Sequence, residues 1–295
     1  MSKVFVTGLD GFTGRYLARE LTRAGHDVCG IVRSPGYDGV GRAHVCNLLD
    51  LDELTDILAL EQPQAVVHLA AIAFVQHGDV KAIYETNVLG TRGLLESLTR
   101  AGIQPQSVLL ASSANVYGNA AVELVNEDVK ASPANDYAVS KLAMEYAARL
   151  WQDRLPVVIA RPFNYTGRGQ DTRFLLPKIV DHFRRRADVI ELGNLHVIRD
   201  FSDVRFVAAV YRRLIEGQFN GQTFNVCSGL GHSLTELLDI LRELTGHDPK
   251  IIVNPQFVRA NEVHRLIGDS THLDSAIGTV PRIAVRDTLA WMLSA

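Results

Sequence analysis

The chain has 295 residues, 47% of them hydrophobic and 21% charged, with a formal net charge of −3. That length exceeds one ordinary domain of about 150 residues and leaves room for two, or for one large α/β unit with an appendage. The charge balance offers no global positive excess to hold nucleic acid, so an anionic ligand has to be gripped locally.

Cys29, Cys46 and Cys227 stand far apart and in no C-x-x-C pattern, which argues against a disulfide framework and a structural zinc site. MSKVFVTG enters a strand with no signal-peptide apolar region, and no apolar run nears the roughly 20 residues of a membrane span. The expectation is a cytoplasmic protein with buried, reduced thiols, no metal and no membrane partner.

In chain order, KVFVTG reads as a strand, TGRYLARELTRAG as a helix and HDVCGIVRS as a second strand. AVVHLAA, a helix through AIYETNVLGTRGLLESLTRAG, the strand SVLLASS, a helix holding DYAVSK and the strand LPVVIARPF follow. Strands that are continuous apolar runs, each separated by a helix, imply parallel βαβ units with both sheet faces covered. The predicted fold class is therefore α/β, a Rossmann-type doubly wound parallel sheet over residues 1–164.

From about Tyr165 the alternation lapses. Helices such as TRFLLPKIVDHFRRR and SLTELLDILRELTG join isolated strands such as QTFNVCS and KIIVNP, which predicts a smaller α/β substrate domain over 165–295, with 203–220 returning to pack on the first. The alternative is that the first sheet simply continues. Arg184 to Arg186 close a helix, where cations suit the dipole.

TGLDGFTG follows the first strand and opens a helix, setting Gly8, Gly11 and Gly14 three apart with Phe12 and Thr13 between the last two. Glycines there permit the tight turn and let backbone N–H groups approach a pyrophosphate at the positive end of the helix dipole. The second strand ends in GIVRSPG with no carboxylate to receive a ribose hydroxyl. Arg33 stands there instead and would welcome a 2′-phosphate, which favours NADP(H) over NAD(H). In DYAVSK, Tyr137 and Lys141 are four apart and share one helix face, a geometry equally compatible with an ordinary helix surface.

Taken together, TGxxGxxG, HLAA (68–71), NVLGT from Asn87, SSANVYG from Ser112, YAVSK and ARPFN ending at Asn164 resemble the extended short-chain dehydrogenase/reductases that act on nucleotide sugars. The resemblance implies that Ser113, Tyr137 and Lys141 form the catalytic group, the serine holding the substrate oxygen, the tyrosine exchanging its proton and the lysine also holding the nicotinamide ribose. A tyrosine of ordinary pKa about 10 would be acidified by the ammonium and an oxidised nicotinamide. The resemblance further implies cofactor contacts at Leu69, Ala70 and Ala71, at Pro162 and Phe163 beside the nicotinamide, and at Asn47 and Leu48 near the adenine, where the family usually has aspartate at the Asn47 position. His68 matches a packing position, and Asn87 is expected to bind water or backbone near the site.

All members of this family share the tyrosine and hydride chemistry, so the reaction depends on the neighbours. Positions that carry the elimination base and acid in 4,6-dehydratases are Ala114 and Asn115 here, and neither can accept a proton at neutral pH. The second half (RPFNYTGRGQ, RFLLPKIV, RDFSDVR, FNVCSG, RANEVHRLIGD) resembles the GDP-sugar branch, especially the GDP-4-keto-6-deoxymannose reductases that form GDP-rhamnose. This implies Arg199 and Arg259 on the substrate pyrophosphate, Asn164 and Lys178 near the sugar or phosphate, Glu262 on a ribose hydroxyl, and a homodimer through the helices around Leu94 and Tyr146. Phe206 and Val207 stand where relatives often keep an aspartate. Two other readings stay open: an NAD-dependent nucleotide-sugar 4-epimerase, and a non-catalytic NADP-binding sensor or scaffold.

Overall fold

A computed structural model describes residues 1–73, 78–257 and 263–294. Arg259 and Glu262 lie outside the described residues.

The first half runs β1 (Lys3–Thr7), α1 (Phe12–Arg23), β2 (Asp27–Val32), β3 (Arg42–Val45), α2 (Leu51–Glu61), β4 (Ala65–His68), α3 (Val80–Tyr84), α4 (Thr91–Arg100), β5 (Ser107–Ala111), α5 (Asp136–Arg149) and β6 (Val157–Pro162). The second half runs β7 (Asn164–Thr166), α6 (Leu175–Arg184), β8 (Val189–Leu192), β9 (Ile198–Asp203), α7 (Val204–Glu216), β10 (Thr223–Val226), β11 (Gly231–Ser233), α8 (Leu234–Thr245), β12 (Lys250–Val253), β13 (Arg265–Leu266), α9 (Thr271–Ile277) and α10 (Val285–Leu293).

Seven parallel strands form the main sheet in the order β10-β6-β5-β4-β1-β2-β3. Strand side chains alternate between faces, so Val4 and Val6 join one core layer with Leu17 and Leu21 of α1, while Phe5 joins the other with Leu54, Leu95 and Met144 of α2, α4 and α5. Each such fully buried side chain contributes about 2 kcal/mol by leaving water. QTFNVCS is not an isolated strand: its Thr223–Val226 pairs with β6 as the edge of the main sheet. The loop before it lets the chain come back to that edge once α7, with Phe206, Val207, Val210 and Tyr211, has packed against Leu17 and Leu21. Phe206 and Val207, where relatives often keep an aspartate, are core residues of this contact.

Strand β3 carries no apolar run. It is an exposed edge held by Arg42, which pairs with Asp27 and Glu61.

The smaller lobe has its own core, in which Leu176, Ile179 and Phe183 of α6 meet Leu237 and Leu241 of α8 and Leu289 of α10. Two small sheets, β7-β9 with β11 and β13, and β8 with β12, complete it. Among the described residues no helix is long and apolar enough to cross a membrane.

Candidate active site

The C-terminal ends of β1, β4, β5 and β6 lie along one edge of the parallel sheet, the edge at which open parallel sheets hold ligands. Gly8 sits at φ +70°, and a Cβ there would approach Ala70 N to 3.0 Å. A Cβ on Gly14 would run into the Gly8 carbonyl, so the loop lies too close to its own helix for any side chain. Helix α1 starts after Gly11 with no side-chain cap and no acidic residue in its first turn. Its leading N–H groups therefore lack side-chain acceptors, an environment that fits a pyrophosphate. The Thr13 hydroxyl lies 2.8 Å from the Tyr165 hydroxyl, and Phe12 stacks on the Tyr165 ring with centroids 6.2 Å apart, so both side chains brace the loop against the second lobe.

The HLAA segment is fixed from below. Thr7 Oγ1 accepts from Leu69 N at 3.2 Å and Ala70 N at 3.1 Å, and lies 2.7 Å from His68 Nδ1. His68 Nε2 lies 2.9 Å from Thr91 Oγ1, whose own proton goes to the Asn87 carbonyl. That requires a neutral imidazole protonated at Nε2. Burial, then the Lys141 charge, depress its pKa to about 3, so His68 is a packing and bridging residue. Ala71 follows this pinned backbone.

Asn87 occupies a π-helical turn, Glu85–Gly90, between α3 and α4. Its amide accepts from Ile72 N at 2.9 Å and donates to Ser140 Oγ at 2.9 Å, tying the loop after β4 to the helix of Tyr137 and Lys141. Asn135 caps that helix by accepting from Ala138 N, which sets Tyr137 in the first turn.

Ser113, Tyr137 and Lys141 are all buried, at 5%, 8% and 5% exposure, and come together at this helix start. Ser113 hydrogen-bonds the Tyr137 phenol, which lowers its pKa, yet burial outweighs that and raises the pKa well above 10. The ammonium of Lys141 donates to the Ala111 carbonyl at 2.7 Å. Lys141 itself is lowered to about 8 by burial, with Glu145 opposing. The arrangement can hold a proton on the phenol and offer it to an oxygen seated on Ser113.

Arg33 is exposed directly after β2. Asp38, in the loop beyond it, pairs with Arg15 at 2.7 Å, and that guanidinium also lies 5.4 Å from the Tyr37 ring centroid. Asn47 is exposed with its Oδ1 taking Leu49 N at 3.1 Å, so an adenine contact from Asn47 would have to share that oxygen or use the amide nitrogen. Leu48 is buried beside Gly90. Pro162 ends β6 at that edge of the sheet, whereas Phe163 is a core residue packed with Tyr117, Cys227 and Leu266.

Asn164 lies on β7, in register with Phe201. Arg199 is on β9, opposite His232, and donates to the Ile198 carbonyl at 3.0 Å. Lys178 is held in the second lobe, its ammonium 2.9 Å from the Glu191 carbonyl and 4.3 Å from the Phe257 ring centroid. Sequence reasoning missed Tyr165, Glu145 and Arg161. Tyr165 adjoins a matched motif, but its contact with Thr13 spans 152 positions and no spacing foretells it.

Residues 4–227 match the model of the NAD dependent epimerase/dehydratase family. The chain is 33% identical to the GDP-6-deoxy-D-talose 4-dehydrogenase of Aggregatibacter actinomycetemcomitans, over 94% of this chain and 91% of the relative. It is 33% identical to the GDP-6-deoxy-D-mannose reductase of Pseudomonas aeruginosa, over 99% and 96%. A crystal structure of a protein from Burkholderia cenocepacia J2315 superposes with a TM-score of 0.94 at 49% identity, covering 99% and 97%. The structure of RMD from Pseudomonas aeruginosa complexed with NADPH superposes at 0.88 and 32%, covering 100% and 98%. The chain belongs to the NAD dependent epimerase/dehydratase family of extended short-chain dehydrogenase/reductases and is an NAD(P)-dependent oxidoreductase.

Proposed function

We propose that this family member reduces the C4 keto group of a nucleotide-linked 4-keto-6-deoxy sugar, GDP-4-keto-6-deoxy-D-mannose to GDP-D-rhamnose, using NADPH in preference to NADH. The observation that carries the reading is a protonated, buried Tyr137 beside Ser113, with Ala114 and Asn115 next to them in place of a carboxylate. That is the equipment for giving a proton to a carbonyl oxygen and not for removing one from carbon. The names of both relatives agree with a GDP-linked 6-deoxysugar, and that of the talose 4-dehydrogenase also with chemistry at C4.

When bound, the reduced nicotinamide supplies the hydride that C4 accepts. Ser113 holds the carbonyl oxygen and Tyr137 delivers the proton that completes the new hydroxyl. Lys141 orients the cofactor ribose, and its charge offsets the phenolate left behind. Gly8, Gly11 and Gly14 admit the cofactor pyrophosphate to the α1 N-terminus, Leu69 to Ala71 and Pro162 line its path, and the exposed Arg33 takes the 2′-phosphate. On the substrate side, Arg199 and Arg259 grip the sugar-nucleotide pyrophosphate, with Asn164, Lys178 and Glu262 around the sugar and ribose. The same reading implies a homodimer through α4 and α5, where Val139, Tyr146 and Leu150 are exposed.

The test is absorbance at the reduced-nicotinamide band with NADPH and GDP-4-keto-6-deoxymannose, followed by NMR of the product at C4. Reduction to the rhamno configuration supports the assignment, and the talo configuration corrects its stereochemistry. An epimerase would instead copurify with NAD and interconvert sugar nucleotides with no added cofactor, and a sensor would bind NADPH without oxidising it.

A further inference from the structure

Directly behind the catalytic group lies a buried ion pair that none of the motifs singles out. Glu145 and Arg161 are 1% and 6% exposed and meet through two parallel hydrogen bonds, Nε to Oε1 at 2.9 Å and Nη2 to Oε2 at 2.6 Å. Ser112 Oγ adds a third bond to Glu145 Oε1 at 2.5 Å. Arg161 Nη1 donates to Tyr117 OH at 2.9 Å, and that hydroxyl donates to Asn225 Oδ1 at 2.7 Å.

Each member sits beside a residue of the site. Ser112 precedes Ser113, Glu145 is one helical turn beyond Lys141, Arg161 precedes Pro162, and Tyr117 closes the turn that Ser113 opens. Lys141 bonds the Ala111 carbonyl while Glu145 bonds Ser112, so two successive turns of α5 clamp two successive residues at the end of β5. Such a pair is a poor investment for stability alone, because well-packed apolar residues commonly do as well or better.

The charges that face Lys141 come from four elements. On α5 these are Tyr137, a neutral phenol, and Glu145; at the end of β4 stands His68, which is neutral; the end of β5 offers the uncharged Ser113 and the Ala111 carbonyl. On β6, Arg161 is bound to Glu145 and carries the opposite charge, so it offsets part of the carboxylate's effect. Among the described residues the carboxylate acting on Lys141 is Glu145.

We propose that the Glu145–Arg161 pair is a positioning element of the reduction: it locks the Ser113 turn, the Tyr137–Lys141 helix and the Pro162 strand into one frame, with the Glu145 carboxylate one helical turn beyond Lys141. The proposal rests on the reductase reading for its kinetic consequence but not for its effect on Lys141.

The experiment compares wild type with the double variant Glu145→Gln/Arg161→Met, which removes both charges and leaves neither partner stranded, and with Glu145→Gln alone. Protein labelled with 13C at lysine Cε is titrated by NMR without substrate, the Lys141 signal being assigned by its loss in Lys141→Arg. The expected result is a folded double variant with a melting temperature near wild type and NADPH affinity within a few-fold. Its Lys141 midpoint is lower, and that of Glu145→Gln alone, which leaves the guanidinium unpaired, is lower by about one pH unit or more, a tenfold change in proton affinity. With GDP-4-keto-6-deoxymannose, kcat falls about tenfold at pH 8 with little change in KM, and the alkaline limb of its pH profile moves down in step.

A folded double variant whose Lys141 midpoint and pH profile match wild type overturns the proposal. So does a double variant that melts far below wild type, which assigns the pair to stability. If wild type leaves the keto sugar nucleotide untouched, the reductase reading fails while the Lys141 titration still decides the role of the pair.

Discussion

Lys141 gives a hydrogen bond to the Ala111 carbonyl at 2.7 Å, one residue short of the buried pair Ser112 and Ser113. The ammonium is thus held on backbone, and burial keeps the Tyr137 phenol protonated in the free protein. A donor in its acid form suits reduction, where the proton is given and not taken. Tyr137→Phe removes that donor without disturbing the glycine loop. The expected outcome is a fall in kcat of about 10³-fold with NADPH affinity unchanged, measured by steady-state kinetics and fluorescence titration. Turnover within a few-fold of wild type would remove Tyr137 from the mechanism.

Arg33 stands exposed at the end of β2, while Arg15 nearby in sequence to the glycine loop is committed to Asp38. Arg33→Ala is expected to reduce the ratio of kcat/KM for NADPH to that for NADH by about tenfold, equivalent to about 1.4 kcal/mol of lost phosphate interaction. An unchanged ratio would show that the 2′-position is read elsewhere.

The main sheet was legible because its strands are fully buried apolar runs of 4–6 residues, such as VFVT and SVLLA, and the glycine loop because only glycine tolerates its backbone geometry. Strand β3, RAHV, was not legible: an edge strand held by ion pairs has no hydrophobic signature. The placement of QTFNV beside β6 was equally hidden, since its pairing crosses 64 positions. Within the site, Ser113, Tyr137 and Lys141 stand in motifs that resemble the family's in order, although the four-residue spacing of Tyr137 and Lys141 alone is equally that of a helix surface. The pairing of Glu145 with Arg161 has no such signature, because an acid and a base 16 positions apart on a helix and a strand become partners only when the sheet forms.

Val139 and Tyr146 on α5 and Leu150, its C-terminal cap, are spaced seven and four apart and are 38%, 58% and 75% exposed, an apolar stripe unusual for a solvent-facing helix. In the proposed homodimer this stripe is the contact. Tyr146→Glu with Leu150→Glu is expected to leave the fold intact by circular dichroism and to convert the protein to monomer in sedimentation velocity. A mass at once monomeric in wild type, or dimeric in the variant, would remove α5 from any such interface.

Two buried groups predict how the protein responds to acid. His68 is held neutral with its pKa lowered from 6.5 to about 3, and Glu61 is held ionised, lowered from 4.5 to about 2 by its bonds to Arg42, His44 and Lys3 against the cost of burial. In both cases the unfolded chain binds a proton at a pH where the folded one does not, so unfolding takes up protons and stability falls with pH. The His68 contribution is complete above pH 6.5 and is lost from there down toward 3, and the Glu61 contribution is lost from about 4.5 toward 2. One proton taken up costs at most about 1.4 kcal/mol per pH unit. Denaturant unfolding between pH 7 and pH 5 is therefore expected to show a decline that His68→Asn flattens, because the amide bridges Thr7 and Thr91 less well but does not titrate. Glu61→Gln lowers stability at pH 7 and changes the slope between pH 7 and pH 5 far less than His68→Asn does, since Glu61 takes up little proton above pH 5; an equal flattening by both variants would mean that the slope arises from other groups.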